Sequence, residues 1–423
     1  YKLQVMNSTQ AQAYASSIMQ IWVPPWSLGP YYVTKVSPPA AYCQLDPPNL
    51  LAIWDSIFPY HTWQDYAPEL IYYQTPNTQC MSYMLAGQVE SGNTFFSAAG
   101  EGVLKSNGDT IIIVPSTNGF GIQINTTHYP WDLPQVRQAV AYAINKTEVT
   151  DAWGLYMDYH NLDPFMAGAP IPKWLSSMMV NYSYDPAKAA SILEGLGFYK
   201  KNGIWYTPNG TELTLAIQGP SGWTDWMTTV EDAANQLTKF GIPTSLYADS
   251  VGTYLGTIWP DGDFQAAIYW LPAAAGYPSA WTMGSPSSYL ITWNPNKSYQ
   301  FVYPNGTKGY FNSTEWYDEI ASSKPGSAIY NESLINYVGF LQYWLPTIPL
   351  QWYSWTMPYS SKVFNMTWIS KLPLGTQISM VTSYWLYGVP TFLYDTDTAL
   401  MFGITPPGIQ SPLAEAIANH SVI

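Results

Sequence analysis

Charge is scarce in this sequence. Only 10% of its 423 residues are charged, against about 25% in an average soluble domain, and a single arginine, Arg137, accompanies fourteen lysines. The formal net charge is −13, and the clustered cations that neutralise phosphates are missing. Nucleic acid is therefore not an expected partner, and serine, threonine, asparagine, glutamine and tyrosine must supply most of the wettable surface.

Cysteine and histidine are also rare. Cys43 and Cys80 are the only cysteines, and this even count suits either one disulfide in an oxidising compartment or two free thiols. We predict that the two residues form a disulfide. The four histidines have no ligand spacing, so neither a metal nor another cofactor is expected.

Long apolar runs and catalytic motifs are missing too. No run of about eighteen apolar residues occurs, so no part of the sequence is expected to span a membrane. Nucleophile-elbow, Walker and dinucleotide-binding motifs are absent from the sequence. Carboxylates are paired at Glu231–Asp232 and Asp261–Asp263, but the first pair should diverge on a helix and the second should lie in a turn, unlike the facing carboxylates of a glycosidase. The sequence thus predicts a protein that is not an enzyme.

The glycosylation pattern Asn-X-Ser/Thr, by contrast, is abundant. Eleven of the twenty-one asparagines stand in it, namely Asn7, Asn125, Asn145, Asn181, Asn209, Asn296, Asn305, Asn312, Asn331, Asn365 and Asn419. Such sequons matter only outside the cytoplasm, although a composition rich in serine and threonine also generates them by accident. We expect an extracellular glycoprotein with most of these asparagines exposed. The low charge suits an acidic habitat, such as an archaeal cell surface.

Apolar periodicity predicts alternating strands and helices. Strands are expected at 69–74, 109–115, 120–125, 244–248 and 264–270, with a turn leading into a strand over 207–218. Helices are expected at 78–87, within 131–149, from Asp185 to Gly197 and up to Gly241, where N-cap, proline and glycine signals mark the ends. This alternation predicts a mixed α/β sheet.

Aromatic residues make up 16% of the chain, and two segments stand out as candidate ligand-binding loops. Residues 268–281 carry Tyr269, Trp270, Tyr277 and Trp281, and residues 346–359 carry Gln351, Trp352, Tyr353 and Trp355. Indole and phenol rings stack on sugar or peptide faces while their polar tips form hydrogen bonds. In a chain this rich in aromatics they equally fill cores, so both interpretations stay open.

Read in order, several segments resemble the extracellular solute-binding proteins of family 5, the oligopeptide and dipeptide class of ABC importers. The resemblance rests on LGPYYVTKV (28–36), MLAGQVES (84–91), LPQVRQAVAYAINKTEV (133–149), YSYDPAKAASILEGLGF (182–198), LTKFGIP (237–243), DFQAAIYW (263–270) and PTIPLQWY (346–353). In the second segment, Gln88 and Glu90 depart from the family's turn. The resemblance runs from about residue 28 to about residue 370.

The resemblance implies an α/β, two-lobed periplasmic-binding-protein type II fold of the extended dipeptide class. Residues 1–124 and 350–423 would form lobe I and residues 125–349 lobe II, with a hinge at crossovers near Asn125 and Pro349. Only 28 residues precede the Gly-Pro-Tyr segment, so we expect part of lobe I to be missing and the biological protein to be longer. Arg137 would tie its helix to neighbouring carbonyls or carboxylates, a structural role.

The implied function is capture of an oligosaccharide or an oligopeptide outside the cell and its delivery to an ABC permease, with anchoring through a segment outside this sequence. The ligand residues would be Tyr269, Trp270, Tyr277, Trp281, Gln351, Trp352 and Trp355. Peptide binders of the family place an aspartate soon after the tryptophan, but residues 271–275 (LPAAA) lack a carboxylate, which slightly favours a sugar because a buried ammonium needs a partner. The alternatives are a glycosylated surface structural or filament protein reusing this fold and an extracellular glycan-processing enzyme.

Overall fold

The computed structural model describes residues 31–37, 40–45, 47, 69–73, 77–92, 96–153, 157–158, 180, 182–270, 298–311, 319, 322–324, 326–362, 369 and 371. The chain divides into two compact units, one formed by Tyr1–Cys80 and Ser361–Ile423 and the other by Met81–Ser360. No helix in the described ranges combines the length and apolarity needed to cross a membrane.

The first unit contains a three-stranded antiparallel sheet. Its strands are β1 (Tyr31–Ser37), β2 (Ala40–Leu45) and β3 (Glu69–Tyr73), with β2 in the centre. Helix α1 (Asn77–Leu85) follows β3 along the chain. The strand and helix predicted at 69–74 and 78–87 are thus confirmed to within two residues.

The predicted disulfide is wrong, because Cys43 and Cys80 are both free thiols. Cys43 is buried in the central strand β2, where it lies opposite Val33 and Leu70, whereas Cys80 lies in α1. A disulfide requires Cα atoms within about 7 Å and converging Cβ atoms, and this arrangement leaves the sulfurs unbonded. Burial raises the pKa of both thiols, that of Cys80 to about 11, so both stay protonated at neutral pH.

The second unit is built on a six-stranded mixed sheet. The strands of this whole unit, inside and outside the large sheet, are β4 (Asp109–Ile124), β5 (Met157–Asp158), β6 (Tyr199–Lys201), β7 (Ile204–Tyr206), β8 (Leu215–Pro220), β9 (Thr244–Asp249), β10 (Ala266–Trp270), β11 (Tyr299–Val302), β12 (Lys308–Phe311) and β13 (Thr347–Ser360). The large sheet has the order β5-β13-β4-β10-β8-β9, and β6–β7 and β11–β12 form separate antiparallel hairpins. Strands β8, β9 and β10 are parallel to one another, while β4 is antiparallel to both β10 and β13. The strands predicted at 109–115 and 120–125 are two parts of one strand, β4.

Helices pack around this sheet. They are α2 (Ala98–Asn107), α3 (Pro134–Ala143), α4 (Lys146–Trp153), α5 (Pro186–Gly195), α6 (Thr224–Phe240), the segment α7 (Val251–Thr253, a π-helical turn at Tyr254–Ile258, then Trp259–Asp261) and α8 (Ala328–Trp344). As predicted, the Asp185 carboxylate accepts a hydrogen bond from the Lys188 N–H at 2.9 Å, and α6 ends at Gly241 with φ of 107°. Apolar side chains such as Val140, Leu193 and Leu237 are fully buried.

Arg137 fastens helix α3 to the end of helix α8. The side chain is fully buried, and its Nε donates to the carbonyl oxygens of Trp344 (2.9 Å) and Leu345 (3.2 Å), while its terminal nitrogens donate to Trp131 O and Trp344 O. A helix leaves its last carbonyls without partners and carries partial negative charge there, so a guanidinium stabilises this end. Burial lowers the pKa of Arg137 to about 9, and Asp132 opposes that shift. The structural role expected of this arginine is confirmed.

Strand β13 packs tightly against β4 at Gly121. A Cβ atom at this position would lie 2.3 Å from the carbonyl oxygen of Ile348 and 3.0 Å from Cα of Pro349. The register of the strand pair shifts between Pro349 and Gln351, where proline offers no N–H to the ladder. Glycine is therefore required at position 121 for this pairing.

Candidate ligand-binding site

The parallel strands of the large sheet end at a common edge. Strand β8 ends at Pro220 and passes through Ser221–Trp223 into α6, and β10 ends at Trp270. Ala266 and Ala267 of β10 pair with Ile217 and Gln218 of β8, so the two strand ends lie side by side. In open α/β sheets, ligands bind outside the carboxyl ends of such strands, so this edge is the candidate site.

Six aromatic side chains form one cluster at this edge. We call them the aromatic platform: Phe120, Trp223, Trp226, Trp259, Tyr269 and Trp270. The ring centroid of Trp270 lies 4.8 Å from that of Trp226 and 5.2 Å from that of Trp223. On the preceding residue, the Tyr269 ring is stacked on Trp259 at 3.8 Å.

The platform combines buried and half-buried rings. Phe120 and Trp226 are 0% and 1% exposed, whereas the other four rings are half-buried. A half-buried indole or phenol presents an apolar face together with a polar tip, which is the combination that ligand clefts use. The geometry can therefore hold an elongated, uncharged ligand by stacking.

Hydrogen bonds fix the orientation of the rings from beneath. The indole N–H of Trp259 donates to the side-chain oxygen of Gln123 at 2.8 Å, and the Tyr254 hydroxyl donates to the carbonyl oxygen of Ile268. Tyr254 belongs to the π-helical turn of α7, a type of irregularity often found at functional sites. Burial raises the pKa of the Tyr269 phenol, which keeps the platform free of charge.

Gln351 of β13 lies in register with Phe120 and Trp270, but its side chain is in the core. Phe120 of β4 pairs with Trp270 on one side and with Gln351 on the other. The Gln351 side chain is fully buried, and its Nε2 donates to the Thr229 hydroxyl at 2.9 Å. Its Oε1 is buried without a hydrogen-bond partner among the described residues. This amide links β13 to α6 beneath the platform.

The structure brings three of the seven predicted ligand residues together around Phe120, namely Tyr269, Trp270 and Gln351. Along β13, Trp352 lies opposite Gly119, and Trp355 lies opposite Val114. The remaining two, Tyr277 and Trp281, lie outside the described residues. Whether these seven residues contact a ligand stays a prediction.

Sequence reasoning missed three members of the platform, Trp223, Trp226 and Trp259. The first two follow the turn GPSG (219–222) between β8 and α6. A turn of this kind at the carboxyl end of a parallel strand is a recognised position for ligand-binding residues, so it was the available signal. Trp259 lies in α7, a segment without clear periodicity.

The paired carboxylates noted in the sequence do not form the facing pair that a glycosidase needs. Asp232 accepts a hydrogen bond from Gln236 on the same helix at 2.6 Å. Asp261 and Asp263 are exposed at the end of α7. Within the described ranges, no group of three or more histidine, cysteine, aspartate or glutamate residues could hold a metal ion.

A separate cavity of about 250 Å³ lies between α3, α5 and α8. Several polar side chains of this cavity already donate hydrogen bonds within the fold: Lys188 Nζ to the Tyr142 hydroxyl at 2.7 Å, Gln138 Nε2 to the backbone oxygen of Tyr343 at 2.6 Å, and the Tyr182 hydroxyl to the backbone oxygen of Gln342. Because these donors are already used within the fold, the aromatic platform is the stronger candidate for ligand binding.

Comparison with protein families gives a match over most of the chain. Residues 14–292 match the model of the bacterial extracellular solute-binding proteins, family 5 (middle region). Among curated proteins, di/tripeptide-binding protein 1 of Pseudomonas aeruginosa is 30% identical over 180 residues, which is 41% of this chain and 31% of that protein. The matched part of the chain thus spans about a third of this relative's length.

Two solved structures show the fold. The periplasmic oligopeptide-binding protein of Thermotoga maritima with bound mannohexaose has a TM-score of 0.66 and 22% identity, covering 92% of this chain and 72% of that one. The oligopeptide-binding protein AppA of Bacillus subtilis in complex with a nonapeptide has a TM-score of 0.59 and 14% identity, covering 80% of this chain and 63% of that one. The expected α/β fold of the two-lobed periplasmic-binding type is thereby confirmed.

Proposed function

Because the chain belongs to the bacterial extracellular solute-binding proteins of family 5, we propose that the protein captures an oligosaccharide or an oligopeptide outside the cell and delivers it to an ABC permease in the membrane. The observation that carries this proposal is the aromatic platform at the carboxyl edge of β8 and β10. Four half-buried rings together with two buried ones form a surface on which a chain-like solute can stack. No bond is made or broken in this role, so the protein acts as a binding protein and not as an enzyme.

An uncharged ligand suits the platform best. Tyr269 is the sole titratable member of the platform, and burial keeps its phenol protonated. Residues 271–275 (LPAAA), which follow Trp270, supply no carboxylate for the amino terminus of a peptide. Mannohexaose is bound to the similar Thermotoga protein and a nonapeptide to AppA, so the fold accommodates either class, and we favour the oligosaccharide.

The proposed ligand residues are the platform together with the residues predicted from the sequence. Trp270, Tyr269 and Trp223 would contact the solute through their rings. Trp352, Trp355, Tyr277 and Trp281 would complete the wall, and Gln351 would support it from the core. Stacked aromatic contacts of this kind each contribute about 0.5–1.5 kcal/mol beyond area burial.

Closure around the ligand would use the predicted division into lobes, with residues 1–124 and 350–423 in lobe I and residues 125–349 in lobe II. Strand β4 ends at Ile124 and β13 begins at Thr347, close to the two expected crossovers. Hinges are formed by a few residues at element ends that absorb changes in backbone angle. Asn125, directly after β4, and Pro349, near the start of β13, would serve as the hinge. The protein would work at the cell surface, held there by an anchor.

Titration calorimetry of the purified protein tests this function directly. We expect saturable binding of mannohexaose with a dissociation constant in the micromolar range or tighter, and weaker binding of a nonapeptide. Tighter binding of the peptide would reverse the preferred ligand class while leaving the solute-binding function intact. Binding of neither probe, with no solute retained by the protein purified from its own cells, would contradict the proposal and favour a structural surface protein.

A further inference from the structure

Two hairpin tips in the second unit share the sequence Pro-Asn-Gly-Thr. The first, residues 208–211, follows β7, and the second, residues 304–307, joins β11 to β12. Both tips are sequons, at Asn209 and Asn305. They are far apart in the sequence and belong to different hairpins.

The backbone of the two tips is the same. Thr207 N–H donates to Thr211 O at 2.8 Å, and Tyr303 N–H donates to Thr307 O at 2.8 Å. In both tips the glycine N–H donates back to the residue that precedes the proline. Gly210 and Gly306 have φ of 88° and 85°, a region that glycine enters without strain. The repeated sequence therefore specifies one turn twice.

This turn fixes the asparagine side chain in one orientation. Asn209 Oδ1 accepts a hydrogen bond from the Thr211 N–H at 3.2 Å. Asn305 Oδ1 accepts from the Thr307 N–H at 3.0 Å and from the Thr307 hydroxyl at 2.7 Å. With the amide oxygen held inward, the Nδ2 amino group of each asparagine is left for solvent, and both residues are exposed.

The other three sequons within the described ranges differ from these two in burial, because Asn125, Asn145 and Asn331 are half-buried. The Asn125 Oδ1 accepts from the Thr127 N–H and hydroxyl, as Asn305 Oδ1 does from Thr307. Nδ2 of Asn125 donates to two backbone carbonyls, Gly262 O at 3.2 Å and Phe264 O at 3.1 Å. Both of its N–H groups are therefore used inside the fold. The expectation that most sequons are exposed holds for two of these five residues, and Asn7, Asn181, Asn296, Asn312, Asn365 and Asn419 lie outside the described ranges.

We propose that Asn209 and Asn305 carry N-linked glycans in the secreted protein and that Asn125 does not. The donor would be an oligosaccharide joined to a polyprenyl pyrophosphate. The amide Nδ2 forms a bond to C1 of the first sugar, the bond between C1 and the phosphate oxygen breaks, and the lipid pyrophosphate leaves. One amide proton passes to a base of the transferase, so the modified asparagine keeps a single N–H.

Because only one N–H remains after modification, an asparagine that uses both of its N–H groups inside the fold is a poor glycosylation site. At Asn125, modification removes one of two part-buried hydrogen bonds and requires the sugar to leave a half-buried position, and a carbonyl that loses its donor inside the fold is costly. At Asn209 and Asn305 the oxygen keeps its bonds to threonine, and the glycan extends into solvent. This inference does not depend on which solute the aromatic platform binds.

Site-resolved mass spectrometry tests the proposal. The chain would be secreted from a host with an oligosaccharyltransferase, and its glycans removed with an amidase in ¹⁸O-water to mark each occupied asparagine. We expect Asn209 and Asn305 to be modified in most molecules and Asn125 at a level at least tenfold lower. Equal occupancy of Asn125, or bare Asn209 and Asn305, would overturn the proposal.

Variants keep the test independent of any single peptide. Asn305→Gln and Thr211→Ala should each remove the mass of one glycan from the intact protein. Asn235→Gln is the matched control, because Asn235 is exposed on α6 but stands outside any sequon, and it should leave the glycan mass unchanged. An unchanged mass in either of the first two variants would also refute the assignment of that site.

Discussion

The indole of Trp259 lies flat on the phenol ring of Tyr269, with the ring centroids 3.8 Å apart and the planes inclined by 10°. The next residue, Trp270, instead makes edge contacts with Trp226 of α6. Two neighbouring residues of β10 are thus supported by different helical segments, α7 and α6. Such double support restricts ring rotation before a ligand arrives, and preorganisation reduces the entropy lost on binding.

Replacing Trp270 by alanine should weaken solute binding with little effect on folding. The lost stacking and burial correspond to about 1–3 kcal/mol, or roughly 5- to 150-fold in affinity. Calorimetry with the solute that binds the unmodified protein provides the measurement. Tyr310→Ala is the control, because Tyr310 is 63% exposed on β12 and lies outside the platform. Unchanged affinity of the Trp270 variant would rule out the platform as the ligand site.

Lys146 should make the protein more stable as the pH rises from 7 to 9. Its side chain is 3% exposed, its Nζ donates to Ala141 O and Tyr182 O at 2.9 and 2.5 Å, and burial lowers its pKa to about 7. Between pH 7 and the ordinary lysine pKa, the unfolded chain binds more protons than the folded one. Stability therefore increases with pH by up to ~1.4 kcal/mol per unit from this group, and below pH 7 its contribution is constant.

Denaturant titrations at several pH values check this behaviour. The Lys146→Met variant should lose the rise in unfolding free energy between pH 7 and 9, whereas Lys188→Met, which removes an exposed lysine of α5, should retain it. The opposite slope, or the same slope in both variants, would show that Lys146 does not titrate in this range.

Gly121→Ala should destabilise the protein by about 1–3 kcal/mol or more, because an added methyl would overlap the Ile348 carbonyl and overpacking strains a core. Gly102→Ala is the matched control. Gly102 is exposed in α2 with no neighbouring atoms within 4 Å of an added Cβ, so alanine there should stabilise the helix by about 0.5–1 kcal/mol. Chemical denaturation of both variants measures the contrast, and equal stabilities would contradict the close approach of β4 and β13.

The free thiols give a further expected result. Denatured protein prepared without reductant should react with two equivalents of a thiol reagent. The folded protein should react more slowly, because the thiolate is the reactive form and burial raises the pKa of Cys43 and Cys80. An intact mass about 2 Da below that of the dithiol form, or a melting temperature that falls when reductant is added, would show that the two cysteines form a disulfide after all.

Most regular elements could be predicted where the chain carries a boundary signal. Asp185 begins one helix and Gly241 ends another for local chemical reasons, and β10 is a short apolar run next to turn residues. Helix α8 was missed because its buried residues, Leu334, Val338 and Leu341 among them, accompany buried tyrosines and phenylalanine around much of its circumference. A helix that is apolar on most sides has no 3.6-residue rhythm to detect.

The candidate site was only partly predictable. Tyr269 and Trp270 stand out as aromatics at a strand end, but Trp223 joins them only because β8 and β10 pair in parallel, which no local pattern reveals. Gln351 is predicted to be a ligand residue, and its side chain is fully buried and donates to Thr229. Whether a polar side chain faces a cleft or the core depends on the helix packed above it, and that is tertiary information.

Strand β4 also limits the kinds of movement that its sheet permits. Because Phe120 is paired on both sides, with Trp270 and with Gln351, neither neighbouring strand can slide along β4 without shifting its register. A slip of one residue would reverse the face of every side chain on the sliding strand. Bending and twisting about the strand axis keep all the pairings. The sheet thus allows rotational degrees of freedom and forbids translational ones, so any opening at its carboxyl edge must occur as a change of angle.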